Sequence, residues 1–212
     1  MRKKIPVKYL LQLTVLFNII ALLTSCASTG KPQAKERSLI QEGKQSIVLL
    51  RINGILDDGK FVEPFPNSFY QDNMNIGVCS DDPEGKVERV TSQKFLSPET
   101  RKQGWIYLIL KPGTHYLAFQ GARTTMPFIW DKQLQRARRL RIDIPEVTPV
   151  IYAGTLKLRC RNTWNIVGAR NCHYYDESRM VIQDETNLAK EVAADHISDY
   201  GTLQTVLMKR YD

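Results

Sequence analysis

Apolar residues follow distinct patterns along the chain, and each pattern predicts a different part of the molecule. Residues 10–23 form an apolar run, residues 26–45 are mostly polar, and residues 46–182 contain short apolar stretches separated by turn residues. Short stretches rich in β-branched and aromatic side chains are typical of β-strands. From Asp184 onward the apolar positions recur with helical spacing. The pattern predicts a mainly β domain over residues 46–212 with a C-terminal helix.

Two stretches show most clearly why strands are expected. Residues 46–52 are apolar on both faces, as in the central strand of a β-sandwich. Residues 139–144 alternate strictly between apolar and charged side chains. Because successive side chains of a strand point to opposite faces, Leu140, Ile142 and Ile144 are predicted to point inward. Short strands separated by turn residues favour an antiparallel sandwich over a parallel sheet.

A Pro-Gly pair divides the clearest double strand of the sequence. Residues 105–111 and 114–119 are largely apolar and flank Pro112 and Gly113. Proline presets φ and glycine accepts a positive φ, as a type II turn requires. Because a type II turn splays the strands of a tight hairpin, we expect the two strands to pair only away from the turn or to lie in different sheets.

The last part of the chain has the signals of a single amphipathic helix. Asp184 is a good N-cap residue, and Glu185 places a negative charge in the first turn. The apolar residues of the predicted stripe are Leu188, Ala189, Val192, Ala193 and Ile197. Gly201 is expected to end the helix, and the residues from Leu203 to Leu207 are expected to continue the packing as one or two further turns.

The N-terminal apolar run has the composition of a cleaved export signal. Basic residues precede it at Arg2, Lys3, Lys4 and Lys8, and small residues follow it. Its uninterrupted apolar part is shorter than the roughly 20 residues that a membrane-spanning helix needs. The run ends in Leu23-Thr24-Ser25-Cys26, which resembles a bacterial lipobox. We therefore predict a signal peptide over residues 1–25 and lipidation of Cys26, because an ordinary signal peptide or a transmembrane anchor would not need the cysteine.

The lipobox resemblance implies a location in the cell envelope. Bacterial lipoproteins of this kind carry three acyl chains on the mature cysteine, and two or more chains make a stable anchor. Ala27 and Ser28 follow Cys26 without an Asp at the second position, which resembles the pattern of enterobacterial lipoproteins sent to the outer membrane. We expect the periplasmic leaflet of that membrane, with the lipid as the link to it.

The polar stretch over residues 26–45 is predicted to be a flexible tether. Nineteen flexible residues would span roughly 25 Å on average, enough to hold a domain clear of the headgroups. A turn of helix around residues 34–41 is compatible with this prediction. A structured arm is the alternative, and it is disfavoured because only Leu39 and Ile40 could pack.

Charge and length change when the predicted leader is removed. The leader holds four basic and no acidic residues, so the formal net charge falls from +8 to +4. The 187 remaining residues are enough for one sizeable domain. A net charge of +4 does not indicate nucleic-acid binding. A location in the cell envelope also argues against a nucleic-acid partner.

Three cysteines remain for the folded domain once Cys26 is lipidated. Paired thiols tend to be oxidised outside the cytoplasm. Cys160 and Cys172 close a short loop and are the predicted disulfide, which leaves Cys79 unpaired. A zinc site that includes His173 is the alternative, but it would need a fourth ligand and reduced thiols. We therefore predict no metal and no cofactor.

The histidines offer little support for catalysis. A hydrolase needs a nucleophile, a base and an orienting group. His115 lies in an apolar strand, His173 lies at the base of a loop, and His196 lies beside the helical stripe. None falls in a recognisable catalytic motif. All three are predicted to be structural or exposed, and the protein is predicted not to be an enzyme.

The densest positive cluster consists of Arg136, Arg138, Arg139 and Arg141. Arginine grips phosphate and carboxylate groups in a bidentate manner, so the cluster could bind anionic lipid or acidic glycan. The alternative is the solvated face of an edge strand, where charges discourage aggregation. The second interpretation is favoured, and both remain open.

A second resemblance concerns the fold. Residues 112–117, residues 152–156 and a helix opening at Asp184 resemble uncharacterised bacterial outer-membrane lipoproteins with a small transthyretin-like or immunoglobulin-like β-sandwich. The resemblance implies a fold and an address but no reaction. We expect a lipid-anchored binding or scaffolding module on the periplasmic side, with other envelope proteins as partners. The alternatives are a subunit of an envelope assembly or secretion complex and, less favoured, a periplasmic hydrolase.

Overall fold

The computed structural model describes residues 30–56, 61–62, 74–90, 94–121, 139–164, 170–174 and 180–211. The helices in these ranges are α1 (Ala34–Gln41), α2 (Pro98–Lys102) and α3 (Thr186–Ile197), and a 3-10 turn (Ser198–Tyr200) follows α3. The strands are β1 (Ser46–Leu56), β2 (Phe61–Val62), β3 (Met74–Ser80), β4 (Glu88–Arg89), β5 (Trp105–Leu110), β6 (Gly113–Gly121), β7 (Arg139–Ile144), β8 (Val150–Trp164), β9 (Arg170–Tyr174), β10 (Val181–Gln183), β11 (Leu203–Thr205) and β12 (Lys209–Arg210). The predicted signal peptide lies outside the described residues.

The strands form two sheets with a common apolar core. In the first sheet β1 and β8 lie side by side, with β5 and β2 on the far side of β1 and with β9, β10 and β11 along the far side of β8. The second sheet has the order β12-β7-β6-β3-β4. The predicted mainly β sandwich with a C-terminal helix is confirmed.

One detail of that prediction differs, because the first sheet is mixed rather than wholly antiparallel. β1 pairs with β8 in parallel, and β11 also runs parallel to β8. The chain enters β8 from β7, which lies in the other sheet. Near the start of β1, the Ile47 N–H donates to the carbonyl of Pro149, the residue before β8, at 2.8 Å. β8 therefore starts at the end of the sheet where β1 starts. Parallel strands are usually buried on both faces, and both β1 and β8 are apolar on both.

The Pro-Gly division behaves as expected. β5 pairs with β1 in the first sheet, whereas β6 pairs with β3 and β7 in the second. Gly113 has a φ of 124°, a value that side chains disfavour. The predicted alternation in β7 is also confirmed, since its three apolar side chains are buried.

The first sheet is apolar on both faces. Its inner face packs against the second sheet through side chains that include Val48, Leu50, Ile52, Ile106 and Ile151. Its outer face packs against α1 and α3 through side chains that include Ile47, Leu49, Trp105, Tyr107 and Tyr152. Helices on one face and a sheet on the other therefore bury both sides of the central strands.

A β-bulge in β8 keeps its apolar residues on the correct faces. Leu49 is opposite Tyr152, but Arg51 is opposite Thr155, so β8 uses one residue more than β1 over this interval. Gly154 lies within the bulge with a φ of 113°. A Cβ atom there would lie 2.9 Å from Cγ2 of Ile182. The bulge explains how Ala153 and Leu156, three positions apart, both join the inner core.

Residues 30–45, which we call the arm, are ordered, and this corrects the predicted tether over that range. Ile40, a residue of α1, is only 2% exposed. The Gly30 N–H donates to the Phe95 carbonyl at 2.7 Å, and the Tyr107 hydroxyl donates to the Gly30 carbonyl at 2.8 Å. Two buried apolar residues, Pro32 and Ile40, and several polar contacts therefore dock a sequence that looked too polar to pack. Residues 26–29 lie outside the described residues.

The C-terminal helix begins close to its predicted start. Asp184 Oδ1 accepts a hydrogen bond from the Thr186 N–H at 2.9 Å. The predicted stripe is buried except for Leu188, which is 36% exposed. The helical turns predicted after Gly201 are wrong, because β11 forms there. The first residues of β8 need a partner along their outer edge, and β11 supplies it in parallel register.

Candidate functional site

The structure describes two of the four arginines of the predicted cluster, and Arg136 and Arg138 lie outside the described residues. Arg139 Nη2 donates to the Gly85 carbonyl at 3.1 Å, while its buried Nη1 has no hydrogen-bond partner among the described residues. Arg141 forms an exposed ion pair with Asp143 at 2.9 Å. Both described guanidinium groups thus contact groups of their own chain, and anion binding by the cluster stays a prediction.

The predicted Cys160–Cys172 hairpin is present in the backbone, since β8 and β9 pair antiparallel. Cys160 is opposite Tyr174 and Cys172 is opposite Asn162, so the two cysteines are offset by two residues. Cα atoms on such diagonals lie about 7–8 Å apart, beyond the roughly 4.4–6.8 Å usual for a disulfide, so a bridge would require the backbone to move. The disulfide therefore stays a prediction. Cys26 lies outside the described residues.

If the disulfide forms, reduction should lower the free energy of unfolding by about 3 kcal/mol, because an open loop gains chain entropy in the unfolded state. Denaturant titration with and without reductant measures this loss. Cys79 is buried, and its thiol donates to the Asp82 carbonyl at 2.8 Å. Cys79→Ser is the control and should leave the difference intact. Free alkylation of Cys160 and Cys172 in non-reduced protein would contradict the prediction.

His115 makes a contact with a serine that spacing in the sequence did not indicate. It is 4% exposed, its Nδ1 lies 2.9 Å from Ser80 Oγ, and its Nε2 lies 2.8 Å from the Lys111 carbonyl. Because a carbonyl only accepts, Nε2 carries a proton, and in the neutral imidazole the Ser80 hydroxyl donates to Nδ1. The two residues face each other across β3 and β6. Only this cross-strand register brings them together.

The surroundings of this Ser-His pair favour a structural role. A nucleophilic serine also needs backbone donors for the developing oxyanion. The nearby N–H groups of Asp81, Asp82 and Gly85 already donate to carbonyls of their own chain.

His196 is half-buried on α3, and the side chain of His173 lies outside the described part of the structure.

A polar network joins the outer face of the first sheet to the start of α3. Arg51 Nη1 lies 2.9 Å from Glu185 Oε2, and the Thr155 hydroxyl donates to the same oxygen at 2.7 Å. Burial alone would raise the pKa of Glu185, but these two partners outweigh it and hold the pKa below its ordinary value. The Arg51 guanidinium also lies over the Trp105 ring, 5.6 Å from its centroid. With these contacts the carboxylate is satisfied and serves to fix α3 on the sheet.

A cleft of about 510 Å³ lies between the arm and β5. This volume falls within the range of small-ligand sites, roughly 300–1,000 Å³. The lining residues are Lys35, Glu36, Leu39, Gln45, Val78, Val90, Lys94, Tyr107, Leu108, Ile109 and Leu110. The sequence did not predict this cleft, because its existence depends on the docking of the arm.

The charged and polar groups of Glu36, Lys94 and Tyr107 in the cleft wall are engaged with groups of their own chain. Glu36 and Lys94 form an ion pair along the wall. Burial raises the pKa of Glu36, but the Lys94 ammonium and the Gln33 N–H outweigh this effect, so the net pKa lies below the ordinary value. Burial raises the pKa of Tyr107, whose hydroxyl is already engaged with Gly30. The lining residues that the structure describes include no serine, threonine, cysteine or histidine.

One of the lining residues has a buried polar atom without a partner in the part of the chain that the structure describes. Gln45 Oε1 is buried and has no hydrogen-bond partner among the described residues. A buried acceptor without a donor costs free energy, which a ligand with a donor could recover. The apolar side chains of Leu39, Val78 and Val90 would then cover the rest of such a ligand.

Two further observations apply to the part of the chain that the structure describes. It contains no group of three or more histidine, cysteine or acidic side chains placed to hold a metal ion. It also contains no helix with the length and apolarity needed to cross a membrane.

Comparison with known proteins does not assign a family. No protein-family model matches the chain, and no curated protein matches it. The SpaE basal pilin from Lactobacillus rhamnosus GG is a weak structural neighbour, with 12% sequence identity and a TM-score of 0.24. The match covers 78% of this chain and 47% of the pilin chain. A likeness at this level carries no argument about fold or function.

Proposed function

We propose that the protein is a bacterial envelope lipoprotein, anchored through Cys26, that acts as a binding or scaffolding module on the periplasmic side. The observation that carries the binding role is the cleft between the arm and β5. It combines apolar walls with an acceptor, Gln45 Oε1, that has no partner among the described residues, and with a carboxylate already neutralised by Lys94. These features favour holding a ligand over transforming it.

The cleft chemistry defines a class of ligand. An apolar group would fill the space beside Leu39, and one donor would bond to Gln45 Oε1. Because Lys35 at the rim is exposed and has no carboxylate partner among the described residues, a negative group next to the apolar one fits best. A segment of a partner envelope protein meets these requirements.

Site-specific photocrosslinking in cells tests this role. A photoreactive residue at position 39, in the cleft, should capture a defined partner, whereas one at exposed Val181 on β10 should not. Gln45→Leu keeps the size of the side chain but removes the acceptor. It should lower the crosslinking yield at position 39 without lowering the melting temperature. Equal products from positions 39 and 181 would contradict the proposal.

The anchor has a separate test. Cys26→Ala should abolish incorporation of labelled palmitate and release the domain from membranes. Unchanged palmitate labelling in this variant would contradict lipidation at Cys26. Recovery of one large, defined complex in the crosslinking experiment would favour the alternative of an assembly or secretion subunit.

A hydrolase is the weaker alternative, and the Ser80–His115 hydrogen bond is the observation in its favour. Purified protein should therefore be assayed with ester and peptide substrates beside Ser80→Ala. Turnover that Ser80→Ala abolishes would favour the hydrolase, and equal background rates would exclude this pair as its catalytic site.

A further inference from the structure

The start of the arm is fixed to the body of the protein. Gly30 is held at both of its backbone polar groups: its N–H donates to the Phe95 carbonyl, and its carbonyl accepts from the Tyr107 hydroxyl. The next residue, Lys31, forms an ion pair with Asp199 at 2.8 Å. The chain therefore has little freedom to move away from the body after Gly30.

Only three residues separate this fixed point from Cys26. An extended chain spans at most about 3.3–3.6 Å per residue, so the Cα atoms of Cys26 and Gly30 lie within about 14 Å. A lipidated cysteine is held at the headgroup level, because its acyl chains are buried in the bilayer. The end of the domain that carries Gly30 must then lie beside the headgroups.

The size of the domain turns this short link into an orientation. A chain of about 180 residues has a radius of gyration of about 16 Å when folded, so its diameter is several times the length of the link. A tether that was flexible as far as residue 45 would have let any face approach the membrane. With the arm docked, the face near Gly30 is favoured over the opposite face.

The charges at this end suit an anionic surface. Lys35 and Arg37 are exposed on α1, and Arg37 lies over the Tyr200 ring, 5.4 Å from its centroid. The neighbouring carboxylates, Glu36 and Asp199, are each paired with a lysine. On α1 itself the exposed side chains thus leave an excess of positive charge, which is attracted to anionic lipid headgroups.

We propose that the exposed side of α1, flanked by Lys35 on one side and Arg37 on the other, rests on the anionic headgroups of the bilayer into which Cys26 is anchored. This inference rests on the proposed function, because it requires lipid at Cys26. It adds a surface and an orientation that lipidation alone does not define. It also places the rim of the cleft, which Lys35 shares, close to the membrane.

Lysine acylation by a membrane-impermeant reagent tests the contact. Lipidated full-length mature protein is reconstituted in vesicles of phosphatidylethanolamine and phosphatidylglycerol, and modification is measured by mass spectrometry. Lys86, exposed in the turn before β4, is the internal reference. The acylation rate at Lys35 relative to Lys86 should be at least about fivefold lower in the vesicle-bound protein than in soluble Cys26→Ala protein. A factor of about five corresponds to the attraction of one lysine to an anionic surface. Equal ratios in the two forms would overturn the contact.

The same experiment separates the two proposals. If the protein takes up no palmitate and does not float with vesicles, both lipidation and membrane contact fail. If it floats but Lys35 reacts as fast as in solution, only the contact fails.

A spacer variant separates the short link from the charges. About ten Gly and Ser residues inserted after Ser28 should restore the reactivity of Lys35 in neutral phosphatidylcholine vesicles, where the unaltered protein stays protected. In anionic vesicles the spacer variant should stay partly protected, and adding Arg37→Glu should remove that protection. Full protection of the spacer variant in neutral vesicles would overturn the role of the short link. No change on adding Arg37→Glu would overturn the choice of an anionic surface.

Discussion

The two faces of the first sheet are both buried but are built differently. The inner face meets the second sheet through aliphatic side chains such as Leu50 and Ile151, together with Phe95 and Phe119. The outer face meets the arm and α3 through Trp105 and two tyrosines, Tyr107 and Tyr152. Tyr107 and Tyr152 each use a hydroxyl to hold a neighbouring segment.

Because of this difference, one face contributes mainly to the stability of the sandwich and the other to the placement of the arm and α3. Aliphatic burial is non-directional and scales with the apolar area removed from water. Hydrogen bonds contribute less each, but they define where a segment sits. The inner face should therefore determine whether the sandwich folds, and the outer face should determine whether the arm and α3 stay in place.

Leu50→Ala on the inner face should have the largest effect. The side chain is fully buried, and its removal leaves a cavity, so the free energy of unfolding should fall by about 2–5 kcal/mol. Denaturant titration measures the change. Leu188→Ala on the exposed side of α3 is the matched control and should change it by about 0.5 kcal/mol or less. Similar losses in the two variants would break the comparison.

Gly154→Ala tests the bulge that sets the two faces. The positive φ and the approach of Ile182 should together cost about 1–3 kcal/mol. The same titration should show less additional cost when Gly154→Ala is introduced into an Ile182→Ala background, because the crowded methyl group is absent. A neutral Gly154→Ala would mean that the bulge does not constrain β8.

Glu185→Gln tests the polar attachment of α3 on the outer face. It leaves the half-buried Arg51 without its carboxylate and should cost about 1–2 kcal/mol. Amide hydrogen exchange should rise in α3 more than in β1. Asp143→Asn, which removes an exposed ion pair on the second sheet, is the control and should have a smaller effect. Uniform exchange across both elements would show that the network does not act locally.

Acid should weaken the arm before the sandwich. The pKa of Glu36 is lowered in the folded state, so its ionised form adds stability above the unfolded pKa of about 4.5. That contribution is lost as the pH falls through the lower folded value. The difference in melting temperature between wild type and Glu36→Gln should therefore be constant above about pH 5 and shrink below it. In a Lys94→Met background the difference should be small throughout, and a difference that grows in acid would reverse the sign of the argument.

The sequence predicts the parts of the fold whose signals are local. The alternation around Ile142 and the turn at Gly113 required no partner to be recognised. The arm was missed because its stabilisation comes from Tyr107 and Phe95, far along the chain, and not from its own few apolar residues. The parallel pairing of β1 with β8 was missed for the same reason.

The candidate site was even less accessible from the sequence. The cleft exists only because α1 docks beside β5, and the Ser80–His115 hydrogen bond exists only through the register of β3 and β6. Neither has a fixed spacing to search for. The lipobox at Cys26, by contrast, is a contiguous pattern, and its lipidation stays a prediction.

The parallel pairing of β1 and β8 has a consequence for how the protein folds. Ile47 meets Val150, so the longest strand contact of the first sheet joins segments roughly a hundred residues apart. High contact order slows folding to the range of about milliseconds to seconds. Until β8 emerges, β1 has an open edge rich in β-branched residues, which is a site for aggregation. A nascent chain of this protein should therefore depend on chaperones until its last third has been synthesised.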